Sequence, residues 1–239
     1  MTENAITIEH VAKSYNNRTV LADVSMRVKQ GEYFGLVGMN GAGKTTLIKG
    51  LLDLCAIDKG SVYLYDIPHR DRRSRKRVTY LPEKFTPPYY LTGRDYMKYM
   101  AELNGRSYIE DDVLELFSIL ELDISALDKP VRQFSKGMGQ KLGLAGCLSG
   151  DRDLLVFDEP MSGLDPGARA CLKRHLIELK SRGRTLFCST HLLEDVRVLC
   201  DRMAILHEGE IRFIGSPAEC CDTFQTDDLE QAYLACTAS

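Results

Sequence analysis

The stretch Gly38-Met39-Asn40-Gly41-Ala42-Gly43-Lys44-Thr45 constrains this chain more than any other, because it matches G-x-x-x-x-G-K-[ST] where one periodicity gives way to another. Phe34 to Val37 before it is a short apolar run of strand type. After it, Leu47, Ile48, Leu51 and Leu52 recur at helical spacing. A strand, a glycine-rich turn and a helix in that order make an anion cradle. The bare backbone of Gly38, Gly41 and Gly43 leaves N–H groups uncovered, and the helix N-terminus favours negative charge. Lys44 adds a cation for the β- and γ-phosphates of a nucleotide, the Thr45 hydroxyl a ligand for Mg²⁺, and Thr46 a further donor. At ordinary residue usage the four fixed positions coincide in roughly one chain of this length per hundred. The placement between strand and helix makes coincidence rarer still.

The remaining pattern indicates the fold that carries the loop. Leu154 to Phe157 and Thr185 to Cys188 are continuous apolar runs, as expected of parallel strands covered on both faces, with an apolar-periodic helix from Ala170 to Leu179 between them. This alternation marks a parallel α/β core. Ile6 to Ile8, Ser61 to Tyr65 and Val78 to Leu81 are further strand-type runs. Met203 to Leu206 and Ile211 to Ile214, joined by His207-Glu208-Gly209-Glu210, predict a closing hairpin, and Leu229 to Leu234 a short final helix. Between Glu83 and Gly150 strand signals vanish. Thr92 and Asp95 predict a capped start for a helix containing Tyr96, Met97, Met100 and Leu103. An all-helical insertion over residues 84–150 is expected within one domain, since 239 residues suffice for one well-packed domain and not for two of ordinary size.

A composition of 44% hydrophobic and 27% charged residues excludes general disorder. The net charge of -3 and pI near 6.0 lack the basic footprint of a dedicated nucleic-acid binder, so no nucleic-acid partner is expected. The basic run His69 to Arg77 reads as a solvated surface segment against that background; nucleic acid or anionic lipid is the alternative. Eight cysteines without a C-x-x-C pair read as free thiols, and five scattered histidines offer no zinc spacing. Met1 to His10 lacks the charged-then-apolar pattern of a signal peptide, and no apolar run approaches the ~20 residues of a membrane span. A cytoplasmic chain is expected.

A second motif, Leu154-Leu155-Val156-Phe157-Asp158-Glu159-Pro160, is an apolar strand ending in two carboxylates, at the end where α/β sheets bind ligands. Adjacent acids after a strand are commonly solvated turn residues. Beside a phosphate loop they take other roles: Asp158 for Mg²⁺, Glu159 to polarise an attacking water.

Further segments occur in an order that resembles the ABC ATPase family over nearly the whole length. Tyr15 resembles the aromatic that stacks on adenine. Phe134-Ser135-Lys136-Gly137-Met138 resembles the signature motif, whose Ser135 and Gly137 would reach the γ-phosphate held by the opposite subunit of a dimer. Ser162-Gly163-Leu164-Asp165 is similar to the D-loop, and Ser189-Thr190-His191 places His191 as the switch histidine. Each alone has an ordinary explanation: a packed or surface tyrosine, a helix cap, a polar residue at a strand end. Their joint order around the two stronger motifs carries the resemblance. It implies a P-loop NTPase core with an N-terminal antiparallel β subdomain and an inserted α-helical subdomain. It also implies ATP and Mg²⁺ as ligands and a catalytic set of Lys44, Glu159 and His191, with Met39, Asn40 and Ala42 completing the phosphate loop. The implied partners are a second ATPase subunit, in a homodimer, and a transmembrane permease subunit that would hold the chain on the inner face of the cell membrane.

Two positions depart from the family's commonest pattern. Glu83 stands where the Q-loop glutamine is usual, and its carboxylate is expected to join Thr45 and Asp158 at the metal; Met138 stands where the signature usually ends in glutamine. The SKGM form resembles subunits of export-type systems. Phe85-Thr86-Pro87-Pro88-Tyr89-Tyr90 follows Glu83 where the family's nucleotide site connects to its membrane partner, internal packing being the other reading. The rival functional classes are a soluble ABC ATPase outside transport and a nucleotide-binding module without turnover, the latter disfavoured by Glu159.

Overall fold

In the computed structural model, which describes residues 3–238, the chain opens with two long antiparallel strands, β1 (Asn4–Tyr15) and β2 (Arg18–Lys29). Met1 and Thr2, the start of the segment read for a signal peptide, and Ser239 lie outside the described residues. The turn at Asn16-Asn17 has φ of 47° and 63°, a left-handed pair that suits a tight hairpin and that asparagine tolerates. Patterning predicted only Ile6 to Ile8 of this hairpin. The overlooked signal is the alternation of Val24, Met26 and Val28, all buried, with Ser25, Arg27 and Lys29, all exposed.

After β3 (Tyr33–Val37) and α1 (Lys44–Leu51), strand β4 (Lys59–Leu64) returns to pair antiparallel with β1, and the short β5 (Ile67–Pro68) pairs with β4. The first sheet has the order β2-β1-β4-β5. Tyr65, predicted as the end of a strand, instead forms a two-residue turn with Asp66, both left-handed at φ 52° and 60°. The basic run then forms a short 3-10 helix, Arg72–Arg77, leading into β6 (Val78–Leu81). Arg73 pairs with Asp71, Arg75 with Asp53 and Arg77 with Asp153. Much of the run's charge is therefore met locally.

From here to residue 153 the regular elements are all helical: α2 (Gly93–Leu103), α3 (Glu110–Ile119) and α4 (Lys136–Leu148), with two short 3-10 turns. The expected cap is present at α2, where Thr92 Oγ1 accepts the Asp95 N–H and Asp95 accepts the Thr92 N–H, both at 3.1 Å. Next come β7 (Leu154–Asp158), α5 (Pro166–Ser181), β8 (Thr185–Thr190), α6 (Leu193–Leu199), β9 (Arg202–His207), β10 (Glu210–Gly215), α7 (Pro217–Thr223) and α8 (Leu229–Ala238). Helices α6 and α7, seven residues each, were too short for their periodicity to register. Helix α5 starts earlier than predicted because Asp165 caps it ahead of Pro166.

The second sheet has the order β10-β9-β3-β8-β7-β6 and is parallel from β9 to β6, with β10 closing as the antiparallel arm of the predicted hairpin. Alternation along its strands sorts side chains between two cores. Leu154 and Val156 face one with Phe34, Leu36 and Phe187, shared with α1 and the first sheet. Leu155 and Phe157 face the other with Leu186 and Cys188, shared with α2 to α5. Among the described residues no helix is long and apolar enough to cross a membrane.

Candidate active site

The register of the parallel sheet decides what meets what. Val37 lies beside Thr190 and Asp158 beside Ser189, so the segments leaving β3, β7 and β8 emerge together with Gly38, Glu159 and His191 at their heads. Gly43 turns the loop into α1 at φ 110°, and a Cβ there would stand 2.9 Å from both Leu21 Cδ2 and Val20 O. Only glycine satisfies both the conformation and the space.

Lys44, the first residue of α1, is buried and doubles back, its Nζ donating to Gly38 O at 2.7 Å and Met39 O at 3.3 Å. The same ammonium is 3.2 Å from Glu159 Oε1. That carboxylate oxygen is buried and accepts no hydrogen bond, so the contact is an ion pair without hydrogen-bond alignment. Glu159 Oε2 is 2.9 Å from His191 Nδ1. Lys44, Glu159 and His191 thus form a line with the carboxylate at its centre. Glu159 occupies the left-handed region at φ 52°, a conformation costly for a side-chain-bearing residue and held here by its N–H donating to Ser189 Oγ (3.0 Å) and Ser189 O (3.2 Å).

Asp158, fully buried, accepts hydrogen bonds from Thr45 Oγ1 at 2.7 Å and from the Ser189 hydroxyl. Ser189 therefore positions both acids, one through its hydroxyl proton and one through its oxygen lone pairs. It lay within a quoted motif, but its role depends on the β7–β8 register. Above these groups opens a cavity of ≈ 360 Å³, lined by Val20, Met39, Asn40, Gly41 and Gly43 to Thr46 with Glu83 and Glu159. Val20 carries no chemical signal in the sequence and arrives because β2 passes the loop. Thr45, Asp158 and Glu83 are hard oxygen donors of the kind Mg²⁺ takes. Among the described residues no cluster of three or more His, Cys, Asp or Glu is arranged to hold a metal alone. Such a donor set fits a cation that arrives with phosphates rather than one caged by protein.

Tyr15 is 46% exposed at the end of β1, with the Lys13 ammonium 4.9 Å from its ring. It does not line the cavity. Partial burial raises its pKa. Ser135 and Gly137 stand elsewhere. Ser135 caps α4 by accepting the Met138 N–H at 3.2 Å, and a Cβ on Gly137 would lie 3.0 Å from Gly163 O. The signature-like and D-loop-like stretches touch each other, and neither lines the cavity. Behind them the buried Lys141 ammonium donates to Asp165 Oδ2 (2.7 Å) and Glu121 O (3.1 Å), tying α4 to the head of α5. The Ala168 N–H and Lys141 push the Asp165 carboxyl down to about 2. Lys141 went unnoticed because a lysine on a helix reads as solvated until the neighbouring helix is known.

Residues 21–162 match the family model described as ABC transporter, a span that includes the phosphate loop, Glu83, the signature stretch and both acids of β7. The chain belongs to the ABC transporter family. An uncharacterized ABC transporter ATP-binding protein of Synechocystis sp. is 41% identical over 202 residues, covering 83% of this chain and 57% of that protein. The Nod factor export ATP-binding protein I of Paraburkholderia xenovorans is 37% identical over 222 residues, 91% of this chain and 73% of that one. A solved ATP binding subunit of an ABC transporter superposes with a TM-score of 0.88 at 28% identity, over 98% of this chain and 99% of the other. This ABC chain spans less than two thirds of the cyanobacterial relative's length. Of the two departures from the usual ABC pattern, Glu83 is exposed at the cavity wall, and Met138 packs its side chain against the helical core.

Proposed function

We propose that this ABC chain binds MgATP in the cavity over Lys44 and hydrolyses it to drive a transmembrane permease subunit, in the direction of export. The observation that carries the reading is Glu159, held between Lys44 and His191 beside the Thr45–Asp158 pair. The triphosphate sits on the backbone N–H groups from Gly41 to Thr46 at the start of α1, where bare amides and the helix N-terminus favour it. Lys44 swings its charge to the β- and γ-phosphates. Thr45, Asp158 and Glu83 would hold Mg²⁺, which when bound spreads positive charge over the phosphate oxygens. Glu159 Oε1 accepts no hydrogen bond, which leaves a lone pair for the proton of an attacking water; His191 orients the same carboxylate through Oε2 and reaches the γ-phosphate. Tyr15 stacks on the adenine.

Ser135 and Gly137 are held away from this chain's own Lys44, so they complete the ATP site of a second copy. ATP then joins two identical subunits face to face, and hydrolysis releases them. Residues 84–150 act as the inserted helical subdomain of a single ABC ATPase domain. Tyr89 and Tyr90, 70% and 73% exposed and packed edge to face at 5.6 Å, dock the permease, which keeps the chain on the cytoplasmic face of the membrane. The name of the Nod factor export relative supports the direction. Phosphate release by the purified chain should require Mg²⁺ and vanish in Lys44→Ala. Turnover that survives either chelation or that substitution would defeat the reading.

A further inference from the structure

Strand β3 lies between β8 and β9, and its middle residue, Gly35, pairs with Cys188 of β8 on one side and Met203 of β9 on the other. Residues paired across a parallel ladder project to the same face of the sheet. On that face Gly35 has no side chain, and its space is taken. A Cβ there would stand 3.2 Å from Cys200 Sγ and 3.4 Å from both Val196 methyl groups. Neighbouring strands run about 4.8 Å apart, so the Cys200 thiol, lying over Gly35, is one strand spacing from the Cys188 side chain. Both cysteines pack in the same apolar cluster, and both are free thiols. The Cys188 thiol, with burial second, pushes the Cys200 thiol well above its usual range.

The two thiols differ in access. Cys188 is buried, whereas Cys200 is half-buried and lines a cavity of ≈ 420 Å³ with Arg197, Ser216 and Cys221. A small reagent entering that cavity meets Cys200 first and finds Cys188 behind it. Between them the chain runs from β8 through Ser189, which positions both acids, and His191, which meets Glu159, into α6, whose C-cap is Cys200. A bond joining residues 188 and 200 would therefore close a ring around the histidine of the proposed site.

We propose that Cys188 and Cys200 form a reversible disulfide that clamps the segment carrying Ser189 and His191 and slows turnover. The effect on turnover rests on the ATP-hydrolysis reading above; the bond itself does not. The oxidant is a low-molecular-weight organic disulfide. Cys200, as thiolate, attacks one of its sulfurs, the S–S bond breaks, and one small thiol leaves with the bonding electron pair and takes up a proton. The Cys188 sulfur, its proton lost to solvent, then attacks Cys200 Sγ and expels the second thiol. The protein loses two electrons, and the reagent gains them as two thiols. A disulfide holds its sulfurs about 2.05 Å apart, closer than unbonded thiols sit. Closing it therefore draws the end of α6 towards β8 and shifts the residues between.

Non-reducing peptide mapping tests this on wild-type protein held with hydroxyethyl disulfide, with Cys188→Ala and Cys200→Ala in parallel and phosphate release measured on the same samples. The Cys188 and Cys200 peptides should appear joined, and dithiothreitol should part them. Because the thiolate attacks, the joining rate should rise about tenfold per pH unit through the alkaline range. Turnover should fall at least about tenfold on joining, the scale of a misplaced catalytic group, and return on reduction. Cys188→Ala should hold the reagent on Cys200 as a mixed disulfide and keep its turnover. Pairing of Cys200 with Cys221, or a wild-type Cys200 that stays unmodified or keeps the small thiol, overturns the proposal. So does a joined pair with unchanged turnover, or an equal loss in Cys188→Ala. Should the untreated wild type release no phosphate, the ATP-hydrolysis reading falls, and the peptide map still decides whether the bond forms.

Discussion

Glu159→Gln strikes the centre of the proposed chemistry, and its two consequences have opposite signs. The Lys44 ammonium lies 3.2 Å from Glu159 Oε1, with both side chains more than nine-tenths buried. At an effective dielectric constant of about 20, such a pair attracts by about 5 kcal/mol before desolvation is subtracted. Glutamine keeps the shape and can still meet His191, but it carries no charge and accepts no proton. Turnover should fall by about 10² to 10⁴, the range for loss of a general base. Affinity for MgATP should rise, because a carboxylate no longer faces the triphosphate and Lys44 is released to it. If about a quarter of the gross attraction survives desolvation, near 1.4 kcal/mol, binding tightens about tenfold. Steady-state phosphate release and nucleotide titration on one preparation read both quantities. Turnover within about threefold of wild type would remove Glu159 as the base. Affinity that fell together with turnover would mean the carboxylate maintains the loop's shape instead of carrying the reaction.

Glu83→Gln should raise the Mg²⁺ concentration for half-maximal ATPase, since an anionic oxygen donor leaves the set proposed to hold the cation; a magnesium titration without a shift would take Glu83 out of that set. Gly43→Ala forces a side chain into φ 110° and to 2.9 Å from Leu21 Cδ2 and Val20 O, so roughly 1–3 kcal/mol of stability and most MgATP binding should be lost. A wild-type melting curve would contradict that geometry. Tyr89→Ala with Tyr90→Ala removes two exposed rings, so the isolated chain should keep its Tm and ATPase while assembly with the permease weakens; unaltered assembly and transport-coupled turnover would end the docking role. Lys44→Ala and Gly137→Asp should each kill both sites of a homodimer, the second by setting a carboxylate against the γ-phosphate. Mixed together they leave one interface intact, so ATPase, or at least ATP-dependent closure, should return. Mixed dimers demonstrated by differential tags yet lacking closure would contradict the composite arrangement.

How far each part of this molecule could be read without coordinates follows from the range of the forces that define it. The glycine-rich turn into α1, the acids at the end of β7 and the capped start of α2 were legible as local devices. Glycines that free the backbone, a cation one residue into a helix, and Thr92 exchanging hydrogen bonds with Asp95 all act within about one turn of chain. The buried strands β3, β7 and β8 were legible for a related reason, since covering both faces of a sheet demands apolar residues at every position. The β1–β2 hairpin was overlooked although its alternation was present. A half-exposed strand advertises itself weakly, and β1 is broken by register shifts between Asn4 and Ser14.

What only the tertiary structure decided are relations between distant segments. Strand order puts β3 between β8 and β9, and the register of β8 sets Ser189 between Asp158 and Glu159; no spacing along the chain encodes a pairing across the sheet. Lys141 reaching Asp165 and Tyr233 reaching the cavity that Gly38 and Met39 also line depend likewise on which helix lands against which strand. Helix placement is set by the summed burial of many apolar side chains, a non-directional force that no single residue announces. The residues proposed for the chemistry were therefore marked locally in this sequence, while their mutual placement came from packing.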